Sequence, residues 1–330
     1  MLKTLLIGIS LLGLTAPAGA QSIDLKREFP QRKLLDWKPG MRFQMPGKVA
    51  DISFGCPLLA FKGPKFKGTD LYGNSPDDKK LTGTTFTFVG LQPFQDKGRD
   101  DQNSSSYEKV AVAFKAANGQ QYAYIISNTM AEVTAGDRLI GAPCLVYTDE
   151  VEKARKLLVG RTAYVLEAYV SQASTRDDVQ YLPKFVPVKF TKVDPGTGTA
   201  PVRITFEYVG ENPRQVQEHD YVLSGTNGYI TDAGSRSALN QFGQSFSFTN
   251  PRTQNSQIKD SNWKAIQQGT LVKGMTMKGV EQIMGKPRSR SESLEETGRF
   301  TTWYYSRFRG KEWNLLFIND KLEKYVNYEN

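Results

Sequence analysis

Histidine and cysteine are scarce in this sequence. Its 330 residues include one histidine, His219, and two cysteines, Cys56 and Cys144. Metal sites in proteins are built from clustered His, Cys or carboxylate side chains, so the composition excludes a His-rich or Cys-rich metal centre. The sequence also lacks a Gly-x-Ser-x-Gly motif and a glycine loop for phosphate. We therefore predict no metal, no cofactor and no catalytic residue.

His219 carries the remaining signal for acid–base chemistry, because it stands between Glu218 and Asp220. A histidine beside a carboxylate is able to act as a general base. The alternative is a solvated residue in a charged hairpin, and this is the interpretation we adopt. It predicts that His219 is dispensable and that the chain is not an enzyme. A cell-wall-directed hydrolase, with a site between two β modules, stays as the alternative.

Long apolar runs are also missing. The apolar stretch from Leu5 to Leu14 follows one basic residue, Lys3, and small residues occupy positions 18–20. It is shorter than the roughly 20 apolar residues that span a bilayer, and the pattern is typical of a secretory signal peptide over residues 1–20. No cysteine follows directly, so a lipoprotein anchor is not expected. We predict a periplasmic or secreted protein, or one peripheral to the outer membrane, without a transmembrane segment.

Charge and cysteine content add two expectations. The formal net charge is +9, an excess that favours anionic partners. For an exported chain, the partner is then an envelope protein or an anionic cell-wall or lipid surface, and not nucleic acid. An oxidising compartment allows Cys56 and Cys144 to persist as a disulfide, which we predict, and two buried thiols are the alternative.

The order of the patterns divides the chain into six segments. A proline-interrupted basic arm follows the signal peptide, and two β modules joined by a short amphipathic helix precede a final α+β domain. The predicted boundaries are 1–20 for the signal peptide, 21–79 for the basic arm and first strands, 80–147 for β module 1, 148–157 for the linker helix, 158–250 for β module 2 and 251–330 for the α+β domain.

Three segments recur in the same order in the two β modules. A shared Leu-x-Gly-x-Thr core is found in residues 81–89 and 158–166, and two strand-like segments follow each copy. Alternating β-branched and aromatic residues are typical of strands, and Asn118-Gly119 predicts a tight hairpin. We interpret the two modules as copies of a small SH3-like β-barrel, a closed architecture without exposed edges.

The C-terminal segment predicts two helices followed by three strands. Asp260 or Ser261 is a suitable N-cap for the first helix, and Thr276 for the second. Two aromatic strand patterns follow, and Asn319-Asp320 predicts a turn because both residues tolerate positive φ. The predicted fold class is therefore mainly β, with a C-terminal helix-helix-three-strand, two-layer sandwich.

This order of elements, with its Gly-Met-Thr and Gly-Lys-Pro motifs, resembles the SmpA/OmlA (BamE-like) family of outer-membrane-associated domains. The resemblance rests on Gly274, Met275, Thr276, Val280, Gly285, Pro287, Trp303, Tyr305, Phe317 and Leu322. Three features depart from the family: Gly279 replaces a frequent acidic residue, Asp320 replaces the usual hairpin glycine, and the lipid-anchor cysteine is missing. The resemblance implies a binding role at the envelope. The fold is also similar to that of secreted β-lactamase inhibitory proteins, which bind other proteins.

A cluster of basic and aromatic residues supplies the candidate binding site: Trp303, Tyr305, Arg307, Arg309 and Lys311. Interleaved arginine and aromatic side chains suit a protein interface or an anionic headgroup. The alternative is a charged strand edge that resists aggregation. We predict an exported, non-catalytic bacterial envelope protein that binds or scaffolds protein or cell-wall partners, including in outer-membrane organisation. The hydrolase and a secreted protein inhibitor are the alternatives.

Overall fold

The fold is mainly β with a few helices, as the computed structural model of the chain shows. The structure describes residues 23–47, 58–62, 65–66, 81–96, 107–135, 141–166, 169–171, 179–181, 184–197, 200–209, 216–224, 226, 241–308 and 311–328. The signal peptide predicted for residues 1–20 lies outside these ranges, and so does Cys56. Cys144 is buried and disulfide-bonded.

The first sheet is antiparallel and has seven strands. They are β1 (Arg42–Gln44), β2 (Leu58–Lys62), β3 (Lys65–Phe66), β4 (Thr85–Asp96), β5 (Tyr107–Ala116), β6 (Gln121–Ile126) and β7 (Val146–Tyr147), and they lie in the order β3-β2-β6-β5-β4-β1-β7. Short helical segments accompany them, among them α1 (Leu25–Glu28), a 3₁₀ turn (Leu34–Asp36) and α2 (Met130–Ala135). The predicted hairpin at Asn118-Gly119 is confirmed, with Gly119 at φ 86° between β5 and β6.

The basic lead-in arm contributes to the core of this first sheet. Trp37, Met41 and Phe43 are all buried, and the Trp37 and Phe43 rings lie 4.7 Å apart. Phe29, further upstream, packs into the core of the second sheet instead. The arm therefore joins the two β modules through buried side chains.

The second sheet has five antiparallel strands. They are β8 (Thr162–Val165), β11 (Pro187–Pro195), β12 (Val202–Tyr208), β13 (Val216–Tyr221) and β14 (Phe246–Ser247), in the order β13-β12-β11-β8-β14, while β9 (Tyr169–Ser171) and β10 (Val179–Tyr181) form a separate ribbon. The helix predicted from the amphipathic pattern is present as α3 (Thr148–Leu158). Its Val151, Ala154 and Leu158 side chains are buried in the core of this sheet. A short helix, α4 (Gln241–Ser245), precedes β14.

The prediction of closed barrels is wrong, because both sheets are open. Among the described strands, β3 and β7 form the two edges of the first sheet, and β13 and β14 form those of the second. The order of pairing also differs between the modules: β4 pairs directly with β5, whereas β11 separates β8 from β12. Similar short strand patterns do not determine which strands become neighbours, since neighbouring strands are selected by packing and loop geometry.

The C-terminal domain carries a third antiparallel sheet. Its elements are α5 (Pro251–Gln254), α6 (Asp260–Gln267), α7 (Met277–Met284), β15 (Ser289–Glu295), β16 (Gly298–Phe308), β17 (Lys311–Ile318) and β18 (Lys321–Tyr328), with the strands in chain order across the sheet. The sheet has four strands and not the predicted three. The missed strand, β15, has the sequence SRSESLE, which lacks the apolar alternation that indicates a strand.

Local signals account for the helix α7 and for the last turn. Thr276 Oγ1 accepts a hydrogen bond from the Gly279 N–H at 3.1 Å, as predicted for its N-cap. Gly285 ends the helix at φ 76°, and Asn319 and Asp320 form the turn between β17 and β18 at φ 49° and 65°. The predicted N-cap of α6, Asp260 or Ser261, is wrong by one or two residues: Lys259 occupies that position and makes no side-chain capping bond.

Candidate binding surface

The two faces of the C-terminal sheet have different environments. Helices α6 and α7 cover one face, where Trp303, Leu315 and Phe317 are buried and the Trp303 and Phe317 rings lie 4.6 Å apart. Side chains alternate along each strand, so the neighbours of these residues point to the opposite face. A residue of the predicted binding site is accessible to a partner only if its side chain lies on the face that the helices leave uncovered.

Two of the five predicted binding residues lie in the domain core. Trp303 is 2% exposed and Tyr305 is 5% exposed. The Tyr305 hydroxyl donates a hydrogen bond to the Gly285 carbonyl at 2.9 Å, and burial raises the pKa of Tyr305. These rings therefore pack against helices and do not face a partner.

Of the three basic members of the predicted cluster, the structure describes the surroundings of Lys311. Lys311 is half-buried at the start of β17. The side chain of Arg307 and the whole of Arg309 lie outside the described part of the chain. Their role in binding stays a prediction.

An apolar surface on the opposite side of the sheet was missed from the sequence. We call it the open face, and it consists of Phe300, Thr302, Tyr304, Asn314, Leu316, Ile318, Lys324, Val326 and Tyr328. The register places Phe300 opposite Ile318, Thr302 opposite Leu316, and Asn314 opposite Val326, so that these side chains share one face. Each of the nine is at least partly exposed, and Val326 and Tyr328 reach 37% and 51%.

One polar contact crosses the open face. The Tyr304 side chain hydrogen-bonds to Glu312, and this contact is the main cause of the raised pKa of Tyr304. Glu312 in turn lies opposite Tyr328 in the register of β17 and β18. The uninterrupted apolar run Leu315–Ile318 was the available signal for this surface, because a strand that is apolar at every position has two apolar faces.

The orientation of the open face is set by contacts between the C-terminal domain and the second sheet. The Trp263 ring of α6 stacks on Phe185 with centroids 5.3 Å apart, and the Arg252 guanidinium lies 5.0 Å from the Trp263 ring centroid. Lys184 Nζ donates to the Gln282 carbonyl at 3.0 Å. Trp263 is partly buried, packs against the core of the C-terminal domain and serves this junction.

The interpretation of His219 as a solvated hairpin residue is wrong. His219 lies within β13, opposite Ile204 of β12, and is 1% exposed. Its ring stacks on Phe206 at 5.6 Å. Its sequence neighbours point to the other side of the strand, where Asp220 forms a two-bond ion pair with Arg203 at 2.7 and 3.0 Å. The charged neighbours in the sequence therefore gave no information about the environment of the imidazole.

A buried carboxyl group joins α3 to the segment that follows β13. Glu150, 4% exposed, accepts hydrogen bonds from the Ser224 N–H at 2.9 Å and from the Ser224 hydroxyl. The Thr226 N–H donates to Ser224 Oγ at 3.0 Å. Burial raises the pKa of Glu150, against the opposing effect of these hydrogen bonds. Ser224 and Thr226 are also buried, so the arrangement connects two segments and is not exposed to a substrate.

The described residues contain no group of three or more His, Cys, Asp or Glu side chains placed to hold a metal ion. Across the same residues, no helix combines the length and the apolar character needed to cross a membrane. No known protein family, characterised protein or solved structure matches this chain.

Proposed function

We propose that this chain is an exported, non-catalytic protein of the bacterial envelope that binds a protein partner through the open face of its C-terminal sheet. The observation that carries the proposal is the cluster of partly exposed apolar and aromatic side chains on three adjacent strands, among them Phe300, Leu316 and Tyr328. Interfaces are enriched in aromatic residues at their centres and are polar at their rims.

The partner we propose is a protein with an apolar centre and an acidic rim. Residues 258–330 contain 13 Lys and Arg against 9 Asp and Glu, so an acidic surface gains from the charge. Lys324 lies within the open face beside Leu316. A bare anionic lipid or polymer surface would use the charge but leave the apolar residues without contacts.

The test compares two variants of the full mature chain. L316S/V326S removes apolar area from the open face, and V272S is the matched control because Val272 is a 41% exposed apolar residue in the same domain. A partner captured from envelope extract is identified, purified and titrated by calorimetry. We expect the double variant to weaken its affinity by at least about tenfold, which corresponds to roughly 1.4 kcal/mol, and the control to bind like wild type.

Two outcomes would overturn the proposal. One is equal binding of the partner by wild type and the double variant. The other is salt-sensitive co-sedimentation with anionic vesicles or cell-wall polymer that the double variant does not change, because that result would assign binding to charge alone. Export is tested separately by N-terminal sequencing of the protein from cells, which should begin at Gln21 after loss of residues 1–20.

A further inference from the structure

The strand β15 forms one edge of the C-terminal sheet and has the properties of a pairing surface. All seven of its residues are exposed, and Leu294 is 85% exposed. Within the described chain, β16 is its only strand neighbour. The outer row of backbone N–H and C=O groups on such a strand is a template for another strand.

Proteins usually protect such edges, and the two edges of this sheet differ in that respect. Bulges, prolines, very short strands and charged side chains are the common protective features. The pairing of β18 with β17 contains a register shift between Leu316 and Phe317, whereas β15 pairs with β16 over seven residues without a shift. The sequence of β15 contains no proline. Its geometry therefore leaves the edge competent to accept a strand.

The order of charges along β15 identifies the strand it accepts. Arg290 and Glu292 are two residues apart, lie on the same face and form an ion pair with each other. Consider two β15 strands that pair antiparallel with their Ser291 residues facing each other. Arg290 of each copy then lies opposite Glu292 of the other. Ser289 then lies opposite Ser293. Opposite charges in directly facing positions are favourable.

Alternative registers lose this match. A shift of two residues, to a pair centred on Glu292, brings the two Glu292 side chains face to face, and like charges in that position are unfavourable. The charge order therefore favours the register centred on Ser291 over the one centred on Glu292.

The backbone pattern independently permits the same register. The hairpin between β15 and β16 closes at Glu295 and Gly298, and the closing pair of a two-residue turn is hydrogen-bonded. Since bonding alternates along an antiparallel strand, Leu294, Glu292 and Arg290 direct their backbone groups outward. In a pair centred on Ser291, Arg290 of one copy faces Glu292 of the other. Both residues direct their backbone N–H and C=O groups outward, so the two strands are able to form hydrogen bonds with each other.

We propose that β15 is a self-complementary edge through which two copies of this chain pair antiparallel about Ser291, giving one eight-stranded sheet. The two open faces become continuous on one side of the joined sheet. This inference goes beyond the proposed function, because it concerns the edge of the sheet and not its face.

Cysteine cross-linking reports the register directly. Residues in the non-hydrogen-bonded position have Cα atoms about 4.5 Å apart, which lies within the range that a disulfide spans. S291C should form a covalent dimer under mild oxidation of the full chain. S289C and S293C are matched controls on the same strand face: each alone should stay uncross-linked, and a mixture of the two should cross-link. An uncross-linked S291C, or equal cross-linking of all three variants, would overturn the register.

Charge reversal tests the same pairing in solution by sedimentation equilibrium. R290E and E292R should each weaken dimerisation by at least about tenfold, because like charges then face each other. The double variant R290E/E292R restores opposite charges across the interface and should recover the wild-type dissociation constant. A wild-type chain that is monomeric at every concentration refutes the proposal, as does a dimer that no single reversal weakens.

Discussion

The Glu150 carboxyl group accepts hydrogen bonds from both the backbone N–H and the hydroxyl of Ser224, 74 residues further along the chain. Glu150 stands in the first turn of α3, and Ser224 follows the last strand of the second sheet's β11–β13 meander. The contact fixes the end of that meander to the helix that begins the module. The buried Glu150 carboxyl group is tolerated there because Ser224 satisfies it with hydrogen bonds.

Removal of this carboxyl group should destabilise the second module. In E150A the Ser224 N–H keeps its buried position but loses its acceptor, and an unsatisfied buried donor costs about 1–3 kcal/mol. E150Q retains an acceptor oxygen and should cost less. Urea unfolding followed by circular dichroism measures both, and equal stabilities of E150A and wild type would contradict the assignment.

The same carboxyl group gives a pH dependence of defined sign. Its folded-state pKa is raised above the usual value of 4.5, so the folded state holds the proton more tightly than the unfolded state. This contribution to stability is full below about pH 4.5 and is lost as the pH rises through the folded-state pKa. The difference in unfolding free energy between wild type and E150Q should therefore fall as pH increases above 4.5. A difference that rises over this window would contradict the burial of the group.

His219 should matter for stability, contrary to the prediction from the sequence that it is dispensable, because its ring is buried. Truncation of a fully buried ring leaves a cavity, and H219A should cost about 2–4 kcal/mol by comparison with other core truncations. H219F conserves most of the volume beside Phe206 and should cost less than about 1.5 kcal/mol. Thermal unfolding of the two variants provides the comparison. If H219A and wild type have the same unfolding temperature, the packing of the His219 ring on Phe206 does not stabilise the fold and the prediction is wrong.

Two tryptophans of the C-terminal domain should differ in their effect. Trp303 is buried among the helices and the sheet, so W303A should cost about 3–5 kcal/mol. Trp263 is partly buried and stacks on Phe185 across the junction, and such an aromatic pair contributes about 0.5–1.5 kcal/mol beyond its buried area. W263A should therefore be the milder change of the two. Denaturant unfolding measures the loss of unfolding free energy in each variant. A larger loss in W263A than in W303A would contradict the prediction.

The predicted Cys56–Cys144 disulfide has a simple chemical test. Cys144 is disulfide-bonded, and thiol titration of the unfolded, unreduced chain should find no reactive thiol. Reduction should then destabilise the first module by about 3–5 kcal/mol, the range for a bond that closes a long loop. Two titratable thiols per chain would show that the cysteines are not bonded to each other.

The sequence by itself determined the features that depend on a few consecutive residues. The Thr276 cap, the end of α7 at Gly285 and the positive-φ turn at Asn319 follow from what these side chains do to their own backbone. The amphipathic pattern of 148–158 likewise determined a helix with a buried stripe. The predominance of β structure follows from the many short alternating segments.

Only the tertiary structure decided which strands are neighbours and which side chains are accessible. His219 sits among charged residues in the sequence, yet strand alternation turns it into the core and its neighbours outward. Trp303 and Tyr305 were predicted to bind because aromatic and basic residues alternate there, but helices cover their face. β15 has no apolar pattern at all, and it becomes a strand because β16 supplies hydrogen-bond partners for its backbone. These outcomes depend on contacts between residues distant in sequence, and local patterns carry little information about them.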